Sequence, residues 1–236
     1  MPIGDFKLHD FAAKFMMQMD DIAEIGGYRD ANRKLLAEDD ARTRAVLLGD
    51  SITYYWEPAC LPAPAHLDLV NRGIPGQNTS QMLLRFQDDV VALKPAAVVI
   101  LGGTNDLRVY IGEPSDPHSN GAIVERATRN ITSMVDIATA RGIRVILCTL
   151  PPLGMNHTNL GRDPGTQRTI NSWLKSFARS RDFPVADYHE ALADERGQLS
   201  EGLSSDGLHP NRGAYELMWP RLRDCLSAVS LPSMRE

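Results

Sequence analysis

Cysteine is scarce in this chain of 236 residues, which contains only Cys60, Cys148 and Cys225. Three widely spaced cysteines are too few for a disulfide framework or for a zinc site built from thiolates. Cys148 lies in an apolar run, where a cysteine is most often a small buried hydrophobic residue. The sequence therefore predicts no disulfide framework and no metal site.

An excess of basic residues and a long apolar run are also missing. The 25 Lys and Arg against 30 Asp and Glu give a formal net charge of −5, whereas a nucleic-acid-binding domain presents a basic surface. No apolar stretch approaches the roughly 20 residues of a membrane-spanning helix, and residues 1–21 lack the continuous apolar stretch of a secretion signal. We predict no nucleic-acid partner, no membrane span and a cytoplasmic location, with export after loss of a leader left open.

Short apolar runs alternate with helix-length segments from residue 42 onwards. Strands are predicted over 45–49, 67–71, 96–102, 143–150 and 185–188, and helices over 6–37 with a break at 26–27, 79–93, 120–140, 164–179 and from 212. Strands that are apolar throughout are typical of a parallel sheet covered by helices on both faces. We predict an α/β fold of three layers (α/β/α), with a flavodoxin-like five-stranded parallel sheet. Residues 1–236 would form a single domain, in which a helical extension, residues 1–42, packs on a core of residues 43–230.

Polar residues follow the predicted strands, and in such a sheet ligands bind beyond the carboxyl ends of the strands. Ser51 follows the first strand, residues 71–79 follow the second, Asn105 follows the third, and residues 205–210 lie in the loop after the last. A serine in this position is also a common helix N-cap. Asp50 beside it can support the turn through hydrogen bonds alone.

Asp206 and His209 are candidates for the residues that activate the hydroxyl of Ser51. A serine hydroxyl is a poor nucleophile until a base removes its proton, and imidazole is suited to that task. A carboxylate can hold the imidazole in one tautomer and stabilise the imidazolium that forms. Asp206 and His209 are three positions apart, and Pro210 disfavours a helical conformation at His209. Taken alone, the pair also fits a turn aspartate beside a surface histidine.

Asn105 and Gly76 are candidates for the donors that acyl transfer requires. The side-chain amide of Asn105 and the backbone N–H groups of Gly76 and Ser51 would together form an oxyanion hole. Gly76 allows close approach of the backbone and a positive φ. Gly73 is the competing glycine of this loop, and we choose Gly76 because it precedes the polar residues that begin the next helix.

Four motifs together resemble a known family. Gly49-Asp50-Ser51, Gly73-Ile-Pro-Gly76, Gly103-Thr-Asn105 and Asp206-Gly-Leu-His209 resemble, in this order, the four sequence blocks of the SGNH (GDSL-type) hydrolases. In having Thr104 directly before Asn105, the chain resembles one branch of the family, which contains platelet-activating-factor acetylhydrolase catalytic subunits and bacterial lysophospholipase-like esterases. Ile52 stands where the family's motif has Leu.

The resemblance implies a serine esterase or acylhydrolase that needs no metal and no organic cofactor. It implies that Ser51 is the nucleophile, His209 the general base and Asp206 its partner. By the same resemblance, Gly76 and Asn105 join the backbone of Ser51 in the oxyanion hole. The substrate would be a small-molecule ester, and assembly into a homo-oligomer is left open.

Two polar loops, residues 106–119 and 151–165, are expected to shape the substrate pocket. Their few apolar residues favour short acyl groups, acetyl or butyryl, on a small alcohol or sugar. A carbohydrate O-acetyl esterase and a lysophospholipase or thioesterase are alternatives on the same machinery. The residues predicted to contact the substrate are Tyr54, Trp56, Leu107, Tyr110, Leu153 and Met155.

Two further classes of function are alternatives to an esterase. A phosphate- or nucleotide-binding module on a flavodoxin-like sheet would use backbone amides near Ser51, but no phosphate-loop or dinucleotide motif is present. A metallohydrolase could use Asp50, Asp206 and His209 with Asp187 or His189, but no metal-binding motif accompanies them. We interpret Asp187 and His189 as residues that cap a loop.

Overall fold

The computed structural model describes residues 21–38, 42–57, 60, 62–63, 65–108, 120–156 and 161–228. Residues 1–20 of the predicted extension and the predicted contact residue Tyr110 lie outside these ranges. No helix within them is long and apolar enough to cross a bilayer.

Five parallel strands form the sheet. They are β1 (Thr43–Gly49), β2 (Leu67–Gly73), β3 (Ala97–Leu101), β4 (Arg144–Cys148) and β5 (Val185–Ala186). Their order is β2-β1-β3-β4-β5, with every neighbouring pair parallel. All five residues of β3 are buried, as expected of a central strand covered on both faces. The predicted flavodoxin-like sheet is confirmed.

Helices cover both faces of the sheet. They are α1 (Arg29–Ala37), α2 (Ser51–Tyr54), α3 (Thr79–Leu84), α4 (Phe86–Asp89), α5 (Asn120–Ala140), α6 (Pro164–Arg181), α7 (Tyr188–Leu192) and α8 (Arg212–Ala228). Helix α5 packs against α3 and α6, whereas α8 packs against α7 and β5. The three-layer α/β/α arrangement is as predicted.

The single helix predicted over residues 79–93 is wrong. The chain forms α3, α4 and a 3₁₀ turn at Val91–Leu93, because Arg85, between α3 and α4, leaves the helical conformation with φ −95° and ψ 2°. Its side chain is fully buried and donates to the carbonyl oxygens of Gly49 and Arg72. The fifth strand is also shorter than predicted, since Asp187 caps α7 by accepting a hydrogen bond from Glu190 N–H.

The sheet order decides where the site forms. Strand β1 lies between β2 and β3, so the carboxyl ends of these three parallel strands meet at one edge of the sheet. The loops that follow them carry Ser51, Gly76 and Asn105, which are far apart in the sequence. The fold therefore places these three residues in neighbouring loops.

Candidate active site

A chain of hydrogen bonds joins Ser51, His209 and Asp206. The Oγ of Ser51 lies 2.9 Å from Nε2 of His209, and Nδ1 of the same ring lies 2.6 Å from Oδ2 of Asp206. With the proton on Nδ1, the lone pair of Nε2 faces the serine hydroxyl. Such an arrangement can accept the hydroxyl proton while the carboxylate holds the ring.

The loop that carries Asp206 and His209 is held by the carboxylate itself. Oδ1 of Asp206 accepts hydrogen bonds from the N–H groups of Leu208 and His209, each at 2.9 Å, and from the hydroxyl of Ser204 at 3.0 Å. Partial burial raises the pKa of Asp206, but the hydrogen bonds from His209, Leu208 and Ser204 lower that pKa by more. The net effect is a pKa well below the ordinary value, so the carboxylate is charged beside the imidazole.

Ser51 begins helix α2 in a tight strand-to-helix turn. Asp50 caps this helix, with Oδ1 accepting from Ile52 N–H at 2.9 Å. A Cβ at Gly49 would lie 2.0 Å from the hydroxyl oxygen of Thr53, so this turn requires glycine at its start. Burial raises the pKa of Asp50 to about 6, although the hydrogen bond from Ile52 and the nearby His209 oppose that shift.

Gly76 lies in the turn formed by residues 74–77. Its φ is +81°, and Gln77 N–H donates to Ile74 O at 3.4 Å, which fits a type II turn with Pro75 and Gly76 as its central residues. Within the described part of the chain, Gly76 N–H has no acceptor. By contrast, Gly73 N–H donates to Oδ1 of Asn71 at 2.9 Å, so Gly76 is the glycine of this loop with a free donor.

Asn105 connects the turn at Gly76 to the turn at Ser51. Its side-chain Nδ2 donates to Gln77 O at 3.0 Å and to Oδ2 of Asp50 at 3.3 Å. The Asn105 side chain is largely buried and follows β3. The structure thus brings together Ser51, Gly76 and Asn105, the residues that the sequence analysis assigned to one site.

The residues predicted to contact the substrate differ in exposure. Tyr54 and Met155 expose about half of their surface, 51% and 55%. Leu107 and Leu153 expose only 1% and 2% of their surface and belong to the hydrophobic core, which argues against contact with a substrate. Trp56 exposes only 3% but also lines a cavity beside α2, so its assignment as a contact residue stays a prediction. Trp56 stacks on Tyr215 and donates from Nε1 to Cys60 O.

Two further residues, Tyr55 and Arg162, are important for the site, and Arg162 was not predicted from the sequence. The ring of Tyr55 is half exposed and meets that of His209 edge to face, with centroids 5.6 Å apart. Burial lowers the pKa of Arg162, and so does the charge of Arg108, while the negative charges of Asp50 and Asp206 oppose this shift. The charges of both carboxylates therefore act on Arg162, and no local pattern in its loop indicates this.

A cavity of about 750 Å³ lies beside α2. Tyr54, Tyr55 and Glu57 line one side of it, and Leu69 and Asn71 of β2 line another. Its walls therefore combine aromatic rings with polar groups. The ring contact of Tyr55 with His209 connects this cavity to the Ser51–His209 pair.

Asp187 and His189 are not part of this site. The carboxylate of Asp187 accepts hydrogen bonds from the hydroxyl of Thr149 and the N–H of Glu190, and it pairs with Lys175. Across the described ranges, no group of three or more His, Cys, Asp or Glu side chains is placed to hold a metal ion.

Several known proteins are similar to this chain in sequence or in fold. The sequence model of the GDSL-like lipase/acylhydrolase family matches residues 47–217. The chain is 35% identical over 162 residues to "Uncharacterized lipoprotein YqeF" of Bacillus subtilis, a match that covers 61% of this chain and 64% of the relative's length. The chain therefore spans less than two thirds of that relative.

Two solved structures are similar over most of their length. One is a GDSL-like lipase from Bacteroides thetaiotaomicron, with a TM-score of 0.75, 27% identity, and coverage of 87% of this chain and 98% of that one. The other is a protein of Bacteroides fragilis assigned to the acylhydrolases, with a TM-score of 0.75, 30% identity, and coverage of 87% and 97%.

Proposed function

Because the chain belongs to the GDSL-like lipase/acylhydrolase family, we propose that it is a serine carboxylic ester hydrolase acting on small esters with acetyl or butyryl groups. The observation that carries this proposal is the continuous path of hydrogen bonds from Asp206 through His209 to Ser51. A serine within 2.9 Å of an imidazole that is itself oriented by a carboxylate is the arrangement that activates a hydroxyl for acyl transfer.

In the first half of the proposed reaction, Oγ of Ser51 attacks the ester carbonyl carbon while Nε2 of His209 takes the hydroxyl proton. Asp206 stabilises the imidazolium through its hydrogen bond to Nδ1. When the tetrahedral intermediate collapses, the imidazolium gives that proton to the departing alcohol oxygen, which leaves an acyl-serine. Water then repeats the sequence as the nucleophile, and the acid and free Ser51 are regenerated.

Three donors would receive the negative charge on the carbonyl oxygen. The backbone N–H groups of Ser51 and Gly76 have no acceptor within the described residues, and the amide of Asn105 lies between them. Of the two contacts of this amide, the one to Asp50 is the longer, 3.3 Å against 3.0 Å, and a longer hydrogen bond is the weaker. We assign the hydrogen that faces Asp50 to the oxyanion.

The proposed substrate preference rests on the surface around the triad. The exposed contact residues are Tyr54, Tyr55 and Met155, whereas the apolar side chains that would line a groove for a long acyl chain are buried. A carbohydrate O-acetyl esterase is a second candidate, because exposed tyrosine rings beside polar groups are suited to contact a sugar. Lysophospholipase and thioesterase activity are further alternatives on the same machinery.

The test combines active-site labelling with a series of substrates. We expect a fluorophosphonate probe to label Ser51 in the presence of a chelator. We also expect p-nitrophenyl acetate and butyrate to be hydrolysed with a higher kcat/KM than the decanoate. Acetylated sugars run beside the series identify the alcohol part, with Ser51→Ala as the blank. Absence of labelling would contradict the esterase proposal, whereas faster decanoate turnover would contradict the short-chain proposal only.

Replacing Asn105 tests the oxyanion hole. We expect Asn105→Ala to lower kcat by about 10²–10³-fold with little change in KM, because a donor to the oxyanion acts mainly in the transition state. Steady-state kinetics with p-nitrophenyl acetate measure both constants. A rise in KM at constant kcat would instead assign the amide to ground-state binding of the substrate. Thermal unfolding of the variant shows whether the loss of the contacts to Asp50 and Gln77 destabilises the fold.

We also retain the cytoplasmic location as a proposal. The relative from Bacillus subtilis carries the name lipoprotein, which points to the alternative of an exported protein. Fractionation of the source cells, followed by immunoblotting, distinguishes the two locations.

A further inference from the structure

The N-terminal segment, defined here as residues 21–38, lies outside the part of the chain that matches the family, residues 47–217. We propose that this segment positions the N–H of Gly76 in the oxyanion hole and that Tyr28 is its principal positioning residue. The inference rests on the proposed function, because it assigns a role in the same reaction.

The first contact fixes the point where the chain enters the turn. The hydroxyl of Tyr28 donates to the carbonyl oxygen of Gly73 at 2.5 Å, three residues before Gly76. The Tyr28 ring is held from its face by the guanidinium of Arg72, whose central carbon lies 4.6 Å from the ring centroid. Tyr28 is therefore an oriented donor to the last residue of β2.

The second contact fixes the point where the chain leaves the turn. Nε2 of Gln77 donates to Ala23 O at 2.7 Å, and both residues are buried, each with 1% exposure. The backbone oxygen of Gln77 accepts the hydrogen bond from Asn105. One residue thus connects the N-terminal segment to the turn of Gly76 and to the side-chain donor of the proposed hole.

A third contact ties the segment to the helix that follows the turn. Nε2 of Gln81 donates to Ile22 O at 2.6 Å, while Oε1 of the same side chain accepts from Asn78 N–H at 3.0 Å. The second of these bonds is half of a capping box at the start of α3. The side chain that caps α3 therefore also holds the N-terminal segment.

The segment is itself anchored through a buried polar network. Oδ1 of Asn32 in α1 accepts from Nε of Arg72 at 2.8 Å, and its Nδ2 donates to Asp89 at 2.8 Å. Asp89 in turn pairs with Arg85 at 3.0 Å, and both of these side chains are fully buried. Unpaired polar groups in the protein interior raise the free energy of the folded state, so these contacts hold the segment in one position.

The turn needs such support because its own interactions are weak. Its internal hydrogen bond, from Gln77 N–H to Ile74 O, is 3.4 Å long. A Cβ built on Gly76 would have no atom of the described residues within 4 Å, so none of these residues packs on that side. A donor must be held close to its productive position to stabilise an oxyanion, and a displacement of about 1 Å can cost about 100-fold in rate. The anchors on either side of Gly76 supply this restraint.

The experiment uses Tyr28→Phe in the full chain, which removes the hydroxyl and keeps the ring. We expect kcat for p-nitrophenyl acetate to fall about 10-fold, since the donor is displaced rather than lost, while KM stays within about twofold. Arg33→Ala is the control, because Arg33 lies in α1, the helix that Tyr28 precedes, is exposed and within the described residues pairs with the exposed Asp30 alone. This variant is expected to keep the activity of the unmodified protein.

Inhibition by butylboronic acid provides a second measurement. Its inhibition constant would not change if Tyr28 only stabilised the fold. The boronic acid forms an Oγ–B bond with Ser51 while the hydroxyl proton passes to His209, and the adduct places a negatively charged tetrahedral centre in the hole. Transition-state analogues of this kind report on the interactions that lower the barrier. We expect the inhibition constant of Tyr28→Phe to rise by about the same factor as kcat falls.

Gln81→Glu is the second variant, in case Tyr28→Phe does not fold. It keeps the oxygen that caps α3 and removes the donor to Ile22 O, so a fall in kcat of several-fold is expected. If the unmodified protein is active and both folded variants keep kcat within twofold, the positioning role is wrong. A fall in kcat with an unchanged inhibition constant would also overturn it. An unmodified protein without esterase activity or labelling would instead contradict the proposed function.

Discussion

Ser51→Ala is expected to lower kcat by about 10⁴–10⁶-fold, because it removes the proposed nucleophile and leaves only the oxyanion hole and substrate binding. His209→Ala should have a similar effect, since the hydroxyl that lies 2.9 Å from Nε2 would lose its base. The two substitutions combined should cost no more than either alone, because the residues act as one unit. Single-turnover and steady-state assays with p-nitrophenyl acetate measure these effects.

Ser133→Ala is a suitable control for this experiment. The hydroxyl of Ser133 donates to Arg129 O within helix α5, away from the strand ends, and its loss should leave kcat unchanged. Circular dichroism of each variant verifies that the fold is retained. Residual activity of Ser51→Ala above about 1% of the unmodified protein would show that the main reaction does not use this serine.

Arg85→Met is expected to lower the free energy of unfolding by about 3–5 kcal/mol, because it leaves the buried carboxylate of Asp89 without its cation. The guanidinium of Arg85 also donates to Gln77 at 2.6 Å, to Arg72 O at 2.9 Å and to Gly49 O at 2.9 Å. Those acceptors lose their donor as well, and each unsatisfied buried group lowers the free energy of unfolding further. Chemical denaturation gives the free energy of unfolding directly.

Arg212→Met is the matched control for burial. Arg212 pairs with Glu216 at 2.9 Å with the same spacing of four residues as Arg85 and Asp89, but both members of this pair are exposed. Exposed pairs contribute about 0–1 kcal/mol, so this variant should unfold close to the unmodified protein. A loss for Arg85→Met no larger than that for Arg212→Met would contradict a structural role of the buried pair.

Several features could be predicted because their signals are local. The spacing of Asp206 and His209 puts the carboxylate within reach of the nearer ring nitrogen, and Pro75-Gly76 matches the central residues of a type II turn. The apolar runs of β1 and β3 predict burial on both faces of the sheet. Each of these signals depends on residues a few positions apart, whose geometry the backbone largely dictates.

Other features were missed because they depend on distant partners. Arg85 lies in a segment with the composition of a helix, and nothing beside it in the sequence indicates that its guanidinium meets Gly49 O, 36 positions away. The same holds for Tyr28, whose hydroxyl meets the carbonyl of Gly73 45 positions away. The burial of Leu107 and Leu153, which were predicted to contact the substrate, was also missed, since the direction in which a side chain packs is set by the neighbouring elements.

By itself, the sequence determined which segments are buried strands, which residue types stand at their carboxyl ends, and which family the four motifs resemble. Only the tertiary structure decided that Ser51 and His209, 158 positions apart, come within hydrogen-bond distance. It also decided that the N-terminal segment contacts the turn of Gly76. The physical reason is that local patterns set the conformation of the backbone, whereas contacts between distant side chains depend on how the strands are ordered and how the core packs.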